Sequence, residues 1–89
     1  MSERVDRIRA SLSAAFAPQI LDIEDESQRH AGHAGARDGR GHFRVRIVAA
    51  AFTGLPLIKR HQRVYAALGD MMRTDIHALA LDTRAPGED

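Results

Sequence analysis

The spacing of apolar and polar positions divides the chain into helical and extended segments. Near the start, apolar side chains recur at the interval of one helix face, at Val5, Ile8, Leu12 and Phe16. This stripe predicts a first helix over residues 2–16, which Pro18 brings to an end. Residues 19–25 then turn from apolar to acidic and predict a first strand, with Leu21 and Ile23 on one face.

The second half of the chain predicts a strand, an interrupted helix and a further strand. Residues 42–52 begin with apolar and basic side chains in alternation, which is the pattern of a strand with one buried face. A helix follows from about Pro56, because proline is well tolerated in the first turn, and Gly69 divides it into a long and a short piece. The last strand covers residues 76–82, and we expect the tail, about residues 83–89, to be frayed.

This order of elements, α-β-β-α-α-β, predicts an α+β fold in one domain over residues 1–89. Strands one and two are expected to pair antiparallel, whereas strands two and three are joined through helix and are expected to be parallel. The helices would then pack on one face of a three-stranded mixed sheet. The second helix would turn an apolar stripe toward the core: Leu57, His61, Val64, Leu68 and Met72. Its polar face would carry Lys59, Arg60, Gln62 and Arg63.

Composition places the chain among small globular proteins and excludes several kinds of site. Hydrophobic residues make up 44% of the 89 residues, enough for one small core but not for a large enclosed cavity. The absence of cysteine excludes disulfides and any thiolate metal ligand from this chain. We expect a cytoplasmic protein, since a chain without cysteine is compatible with a reducing compartment. We expect neither membrane insertion, because the apolar runs are short, nor a small-molecule substrate.

Histidine is concentrated in one glycine-rich stretch, SQRHAGHAGARDGRGHF, which holds three of the five histidines and four of the seven glycines. We expect a loop over about residues 27–41, a length typical of a functional or a disordered connection. If strands two and three are parallel neighbours, His42 and His77 begin them at the same edge of the sheet. The loop with His30 and His33 reaches that edge too. These histidines would form either a metal site or an ordinary solvated edge.

Two observations weigh against the metal site. No pair of histidines has a standard zinc spacing, and strict alternation places His42 on the same face of the sheet as Arg44. Alternation places His77 with Leu79, on the opposite face, although strand ends often interrupt the pattern. His61 lies within the second helix, where a core or boundary histidine is expected rather than a ligand.

Taken together, these segments resemble the BolA family. The stretches DESQRHAGHAG, HFRVRIVAAAFTGLPLIKRHQRVYAAL and IHALAL carry the resemblance, in that order, and it extends from about residue 4 to residue 86. The positions that match the family pattern include Phe52 with Gly54, Arg60 with His61, Val64 with Tyr65, and His77 with Ala78 and Leu79. The resemblance implies a KH-like fold, in agreement with the order of elements above.

The resemblance also implies a partner and a cofactor. BolA-like proteins pair with a monothiol glutaredoxin, and the heterodimer shares a bridging [2Fe–2S] cluster to which the glutaredoxin contributes a cysteine thiolate and glutathione a thiol. The BolA-like chain contributes the imidazole that matches His77 and a ligand from the loop before strand two. In this cysteine-free chain that position is matched by His42, with His33 and His30 as weaker candidates. Imidazole ligation raises the potential of such a cluster, which suits iron–sulfur trafficking or iron and redox regulation.

A DNA-binding transcription regulator is the alternative, because the family includes such members and the fold is related to nucleic-acid-binding KH domains. Three basic residues of the second helix would contact phosphates: Lys59, Arg60 and Arg63. The stretch GHAG matches the G-x-x-G pattern of the KH loop, but it lies between strands one and two rather than between helices. We therefore interpret the match as coincidental. We expect no enzymatic activity, since there is no cysteine nucleophile and a flexible loop positions Ser27 poorly. Ser27 and Asp25 are better explained as caps that turn the chain out of strand one.

Overall fold

The computed structural model describes residues 3–27 and 40–88, in an α+β arrangement with the predicted order of elements. The helices and strands are α1 (Glu3–Phe16), β1 (Ile20–Asp25), β2 (Gly41–Val48), α2 (Leu57–Leu68), α3 (Met71–Thr74) and β3 (Ile76–Arg84). A short 3₁₀ turn, Ala50–Phe52, follows β2. Most of the predicted glycine-rich loop, with His30 and His33, lies outside the described residues.

The sheet has the mixed topology that the element order predicted. Its strand order is β1-β2-β3, with β1 antiparallel to β2 and β2 parallel to β3. Alternate residues of β2 are buried, at Phe43, Val45 and Ile47. They join one core with apolar side chains of the helices, namely Ile8 and Leu12 of α1 and Val64 and Leu68 of α2. Arg44, on the opposite face of β2, is exposed, so the helices cover one face of the sheet.

Two predicted helix ends are formed as the sequence indicated. After α1, Ala17 adopts a positive φ of 44°, and Pro18 has no N–H with which to continue the helix. Gly69 separates α2 from α3 with a φ of 55°, a conformation that costs glycine little.

The buried face of α2 differs from the predicted one. The buried residues are Arg60, Val64 and Leu68, whereas Leu57, expected in the core, is 60% exposed. Arg60 is only 8% exposed, although a charged side chain was expected to face solvent. Its burial is possible because its donors are satisfied: Nε donates to the Leu55 carbonyl at 2.8 Å, and further contacts join it to the C-terminal tail.

The C-terminal ends of β2 and β3 also differ from the predicted ones. β2 ends at Val48, because the chain then forms the 3₁₀ turn, and β3 continues to Arg84. The tail that was expected to fray is instead held in place as far as Glu88. Ala85 is 3% exposed, and its N–H donates to the Glu88 carboxylate at 3.0 Å. Asp89 lies outside the described residues.

Candidate functional site

His42 and His77 lie side by side where β2 and β3 begin. Their ring centroids are 5.1 Å apart, and the ring planes are inclined by 53°. His42 is largely buried, at 9% exposure, whereas His77 is exposed. Two imidazoles at this separation are close enough to approach one metal ion or one cluster. Chain direction therefore brings the two strand starts together as the sequence predicted.

A register irregularity explains how the two rings meet. Gly41 pairs with Ile76, but the next residue, His42, pairs with Ala78. His77 is thus an additional residue in β3, and such a bulge interrupts the alternation of faces. Strict alternation would have placed the two side chains on opposite faces of the sheet. The bulge is the reason that this expectation is wrong.

The backbone of His42 is held by residues that follow β1. Its N–H donates to Ser27 Oγ at 3.1 Å, and its carbonyl accepts from the Glu26 N–H at 2.7 Å. The Ser27 N–H donates in turn to Asp25 Oδ1 at 2.9 Å, a turn typical of aspartate. This geometry agrees with the interpretation of Asp25 and Ser27 as capping residues. It also fixes the main chain of a candidate ligand.

Gly41 occupies a position where a side chain does not fit. A Cβ there would lie 2.6 Å from Cε2 of the Phe43 ring and 2.9 Å from Ser27 Oγ. The Gly41 N–H donates to the Asp75 carbonyl at 2.8 Å, which ties the start of β2 to the start of β3. The sequence pattern gave Gly41 no role beyond the loop, because a close approach of this kind depends on strand pairing.

A carboxylate that sequence reasoning missed lies beside His42. The Glu26 side chain is 10% exposed and accepts from Arg44 Nε at 3.1 Å. The shallow cleft next to it is lined by Glu26, His42, Phe43, Ala78, Leu79 and Ala80. The ion pair with Arg44 compensates the burial of this carboxylate.

Arg40 contacts the exposed imidazole of the pair. Its Nη2 lies 3.2 Å from His77 Nδ1, and its Nη1 donates to the Arg73 carbonyl at 3.4 Å. A guanidinium only donates hydrogen bonds, so Nδ1 is the acceptor. In a neutral imidazole, the ring proton then resides on Nε2. The sequence pattern gave no signal for this contact.

The other histidines do not join this pair within the described residues. His61 is half-buried on α2, and its Nε2 is buried without a hydrogen-bond partner among the residues that the structure describes. His30 and His33 lie outside the described ranges. Across residues 3–27 and 40–88, no group of three or more histidine, aspartate and glutamate side chains is arranged to hold a metal ion. In the same ranges, no helix is long and apolar enough to cross a membrane.

The three basic residues expected to contact nucleic acid do not share one environment. Lys59 and Arg63 are exposed on α2. The Arg60 guanidinium binds both Glu88 carboxylate oxygens, at 2.6 and 2.9 Å, and the Thr83 carbonyl at 3.2 Å. The pairing lowers the pKa of Glu88 to about 2 and raises the pKa of Arg60. Arg60 is therefore buried and paired with the tail rather than exposed on the polar face of α2, and its role as a phosphate contact stays a prediction that this burial does not favour.

Comparisons with known proteins agree with the sequence resemblance. A family model described as BolA-like protein matches residues 12–88. The chain is 41% identical over 91 residues to Protein BOLA1, chloroplastic, of Arabidopsis thaliana, an alignment that covers 99% of this chain. It is 42% identical over 78 residues to the DNA-binding transcriptional regulator BolA of Escherichia coli strain K12, covering 88% of this chain and 71% of that protein.

A solved structure, the BolA domain of SufE1 from Arabidopsis thaliana, matches with a TM-score of 0.88 and 38% sequence identity, covering 100% of this chain and 99% of that one. The chain spans only part of the plant proteins that it matches: 57% of BOLA1, and 25% of SufE-like protein 1, chloroplastic/mitochondrial. The family model and these relatives cover nearly the whole of the described fold. The chain therefore belongs to the BolA family.

Proposed function

We propose that this chain is a non-enzymatic partner of a monothiol glutaredoxin and shares a bridging [2Fe–2S] cluster with it, in iron–sulfur trafficking or in iron and redox regulation. One observation carries the proposal: the imidazoles of His42 and His77 lie with their centroids 5.1 Å apart at one edge of the sheet. The family resemblance supplies the class of partner. The cytoplasmic location expected from the sequence stays a prediction.

The donor set fits such a cluster when a partner completes it. A [2Fe–2S] cluster takes four ligands, and in one natural type two of these are histidines on one iron. His42 and His77 would supply two of the four. A glutaredoxin thiolate and a glutathione thiol would supply the remaining two, since this chain has no cysteine.

The two histidines would contribute differently. His42 has a fixed main chain, because Ser27 and Glu26 hold its N–H and its carbonyl. His77 is exposed and is therefore accessible at a surface where a partner docks. When bound, the cluster supplies a one-electron couple, and neutral imidazole in place of thiolate raises its potential. An imidazole ligates iron only as the neutral ring, so acid is expected to favour release.

Co-expression with a monothiol glutaredoxin tests the proposal. We expect a coloured heterodimer whose visible spectrum changes when His77 or His42 is replaced by alanine. His61→Ala is the matched control, because it removes an imidazole of α2 and should leave the spectrum unchanged. An unchanged spectrum in His77→Ala would remove His77 as a ligand, and recovery of no complex with the wild-type chain would contradict the partnership.

DNA binding is a second candidate function, favoured by the description of the Escherichia coli relative as a DNA-binding transcriptional regulator. In this chain, Lys59 and Arg63 are the exposed cations of α2 that would contact phosphates. Replacing both by glutamine should weaken binding to duplex DNA and reduce the slope of log affinity against log salt by roughly 2. Fluorescence anisotropy at several salt concentrations measures this slope. A wild-type affinity that does not depend on salt would count against the function.

A further inference from the structure

Arg40 contacts His77 at Nδ1, one of the two ring nitrogens through which an imidazole can bind a metal. Its Nη2 lies 3.2 Å from Nδ1, and its Nη1 is anchored on the Arg73 carbonyl at 3.4 Å. Both terminal nitrogens of the guanidinium therefore have a contact. Because it has only donors, it requires an unprotonated Nδ1.

This contact is incompatible with ligation through either ring nitrogen. If Nδ1 binds the metal, its lone pair is no longer available to Arg40. If Nε2 binds the metal, the ring proton must move to Nδ1, where a donor such as Arg40 would face another donor. Metal-bound histidines instead donate this second N–H to a carboxylate, a carbonyl or water. Arg40 must leave His77 in either case.

We infer that Arg40 is a regulatory residue that holds His77 in a form unable to ligate, so that metal binding requires the Arg40–His77 hydrogen bond to break. The inference deepens the proposed function and rests on it only for the identity of His77 as a ligand. Because the hydrogen bond stabilises only the metal-free chain, it weakens metal affinity by the factor that corresponds to its free energy. Breaking a hydrogen bond of this kind corresponds to an affinity change of about threefold to tenfold.

The isolated full chain provides the test, with Ni²⁺ as the probe because imidazole is a preferred ligand for it. Arg40→Met removes the donor, and Arg73→Met removes the same charge from a neighbouring residue while keeping the backbone carbonyl that Arg40 contacts. Calorimetry should show about threefold to tenfold tighter Ni²⁺ binding in Arg40→Met and a smaller change in Arg73→Met. In a His77→Ala background, the effect of Arg40→Met should fall to that of Arg73→Met.

The first part of a second readout uses the wild-type chain alone and so does not require a variant to fold. In the ¹⁵N-histidine-labelled wild-type chain at pH about 8, where an ordinary imidazole is neutral, long-range ¹H–¹⁵N spectra should show His77 protonated on Nε2. In Arg40→Met, the ring should show a larger share of the Nδ1–H form. A wild-type ring protonated on Nδ1, or equal tightening by Arg40→Met and Arg73→Met, would overturn the inference. Neither measurement uses a glutaredoxin, so failure of the heterodimer to form would be a separate result.

Discussion

Replacing Gly41 by alanine tests how the start of β2 positions His42. The added Cβ would lie 2.6 and 2.7 Å from two carbons of the Phe43 ring and 2.9 Å from Ser27 Oγ. Non-bonded carbons prefer separations of about 3.5–4.0 Å, so the ring or the strand must move by about 1 Å. Phe43 is only 2% exposed, which means that its ring cannot swing into solvent.

The expected magnitude combines two effects. Overpacking a core costs about 1–3 kcal/mol. Displacement of Ser27 also weakens the 3.1 Å hydrogen bond that its hydroxyl accepts from the His42 N–H, and such a bond contributes about 0.5–1.5 kcal/mol. We expect Gly41→Ala to lower the free energy of unfolding by about 2–4 kcal/mol, a large part of the roughly 5–13 kcal/mol of a domain this size.

Urea unfolding and histidine NMR of the folded chain measure the two effects. Gly54→Ala is the control, because its φ of 78° strains an alanine while no atom lies within 4 Å of the added Cβ; that strain costs about 1–2 kcal/mol. Gly41→Ala should lose more stability than the control and should shift the ring signals of His42, which the control should leave in place. A Gly41→Ala protein as stable as wild type, with unmoved His42 signals, would refute the reasoning.

Three further substitutions give separate expectations. Glu88→Gln removes the carboxylate whose folded-state pKa Arg60 lowers from 4.5 to about 2. The wild type should therefore be more stable than this variant near neutral pH, and the difference should vanish as pH falls from 4.5 toward 2. Urea unfolding that gives a constant difference over this range would contradict the pairing. Ser27→Ala should lower the free energy of unfolding by about 1 kcal/mol and shift the His42 amide signal, whereas an unmoved signal would show that the hydroxyl does not hold the strand. Thr83→Val replaces a buried hydroxyl that has no partner among the described residues and should stabilise the chain by about 1 kcal/mol; a lower unfolding midpoint would show that the hydroxyl is satisfied.

Local patterns were sufficient to predict the topology. The alternation along Phe43, Val45 and Ile47 identified β2, and Pro18 and Gly69 marked helix ends, because each of these signals acts within a few residues of its own position. Strand direction then brought His42 and His77 to one edge. This step needed only the antiparallel and parallel pairing that the connections favour.

Features that depend on distant partners could not be predicted. The bulge at His77 arises from pairing with β2, and sequence alternation contains no sign of an additional residue in one strand. Arg60 looked like a solvent-facing cation because its carboxylate, Glu88, lies 28 residues away. Arg40 escaped notice for the same reason, since its contact with His77 spans 37 residues.

Pulsed EPR of the reduced cluster in the glutaredoxin complex tests the ligation by this chain most directly. Only this chain is labelled with ¹⁵N-histidine, so any strong ¹⁵N coupling identifies an imidazole that it contributes. We predict couplings from two nitrogens in the wild type, one of which disappears in His77→Ala and the other in His42→Ala. A wild-type spectrum without strong ¹⁵N coupling would contradict cluster binding through these two histidines.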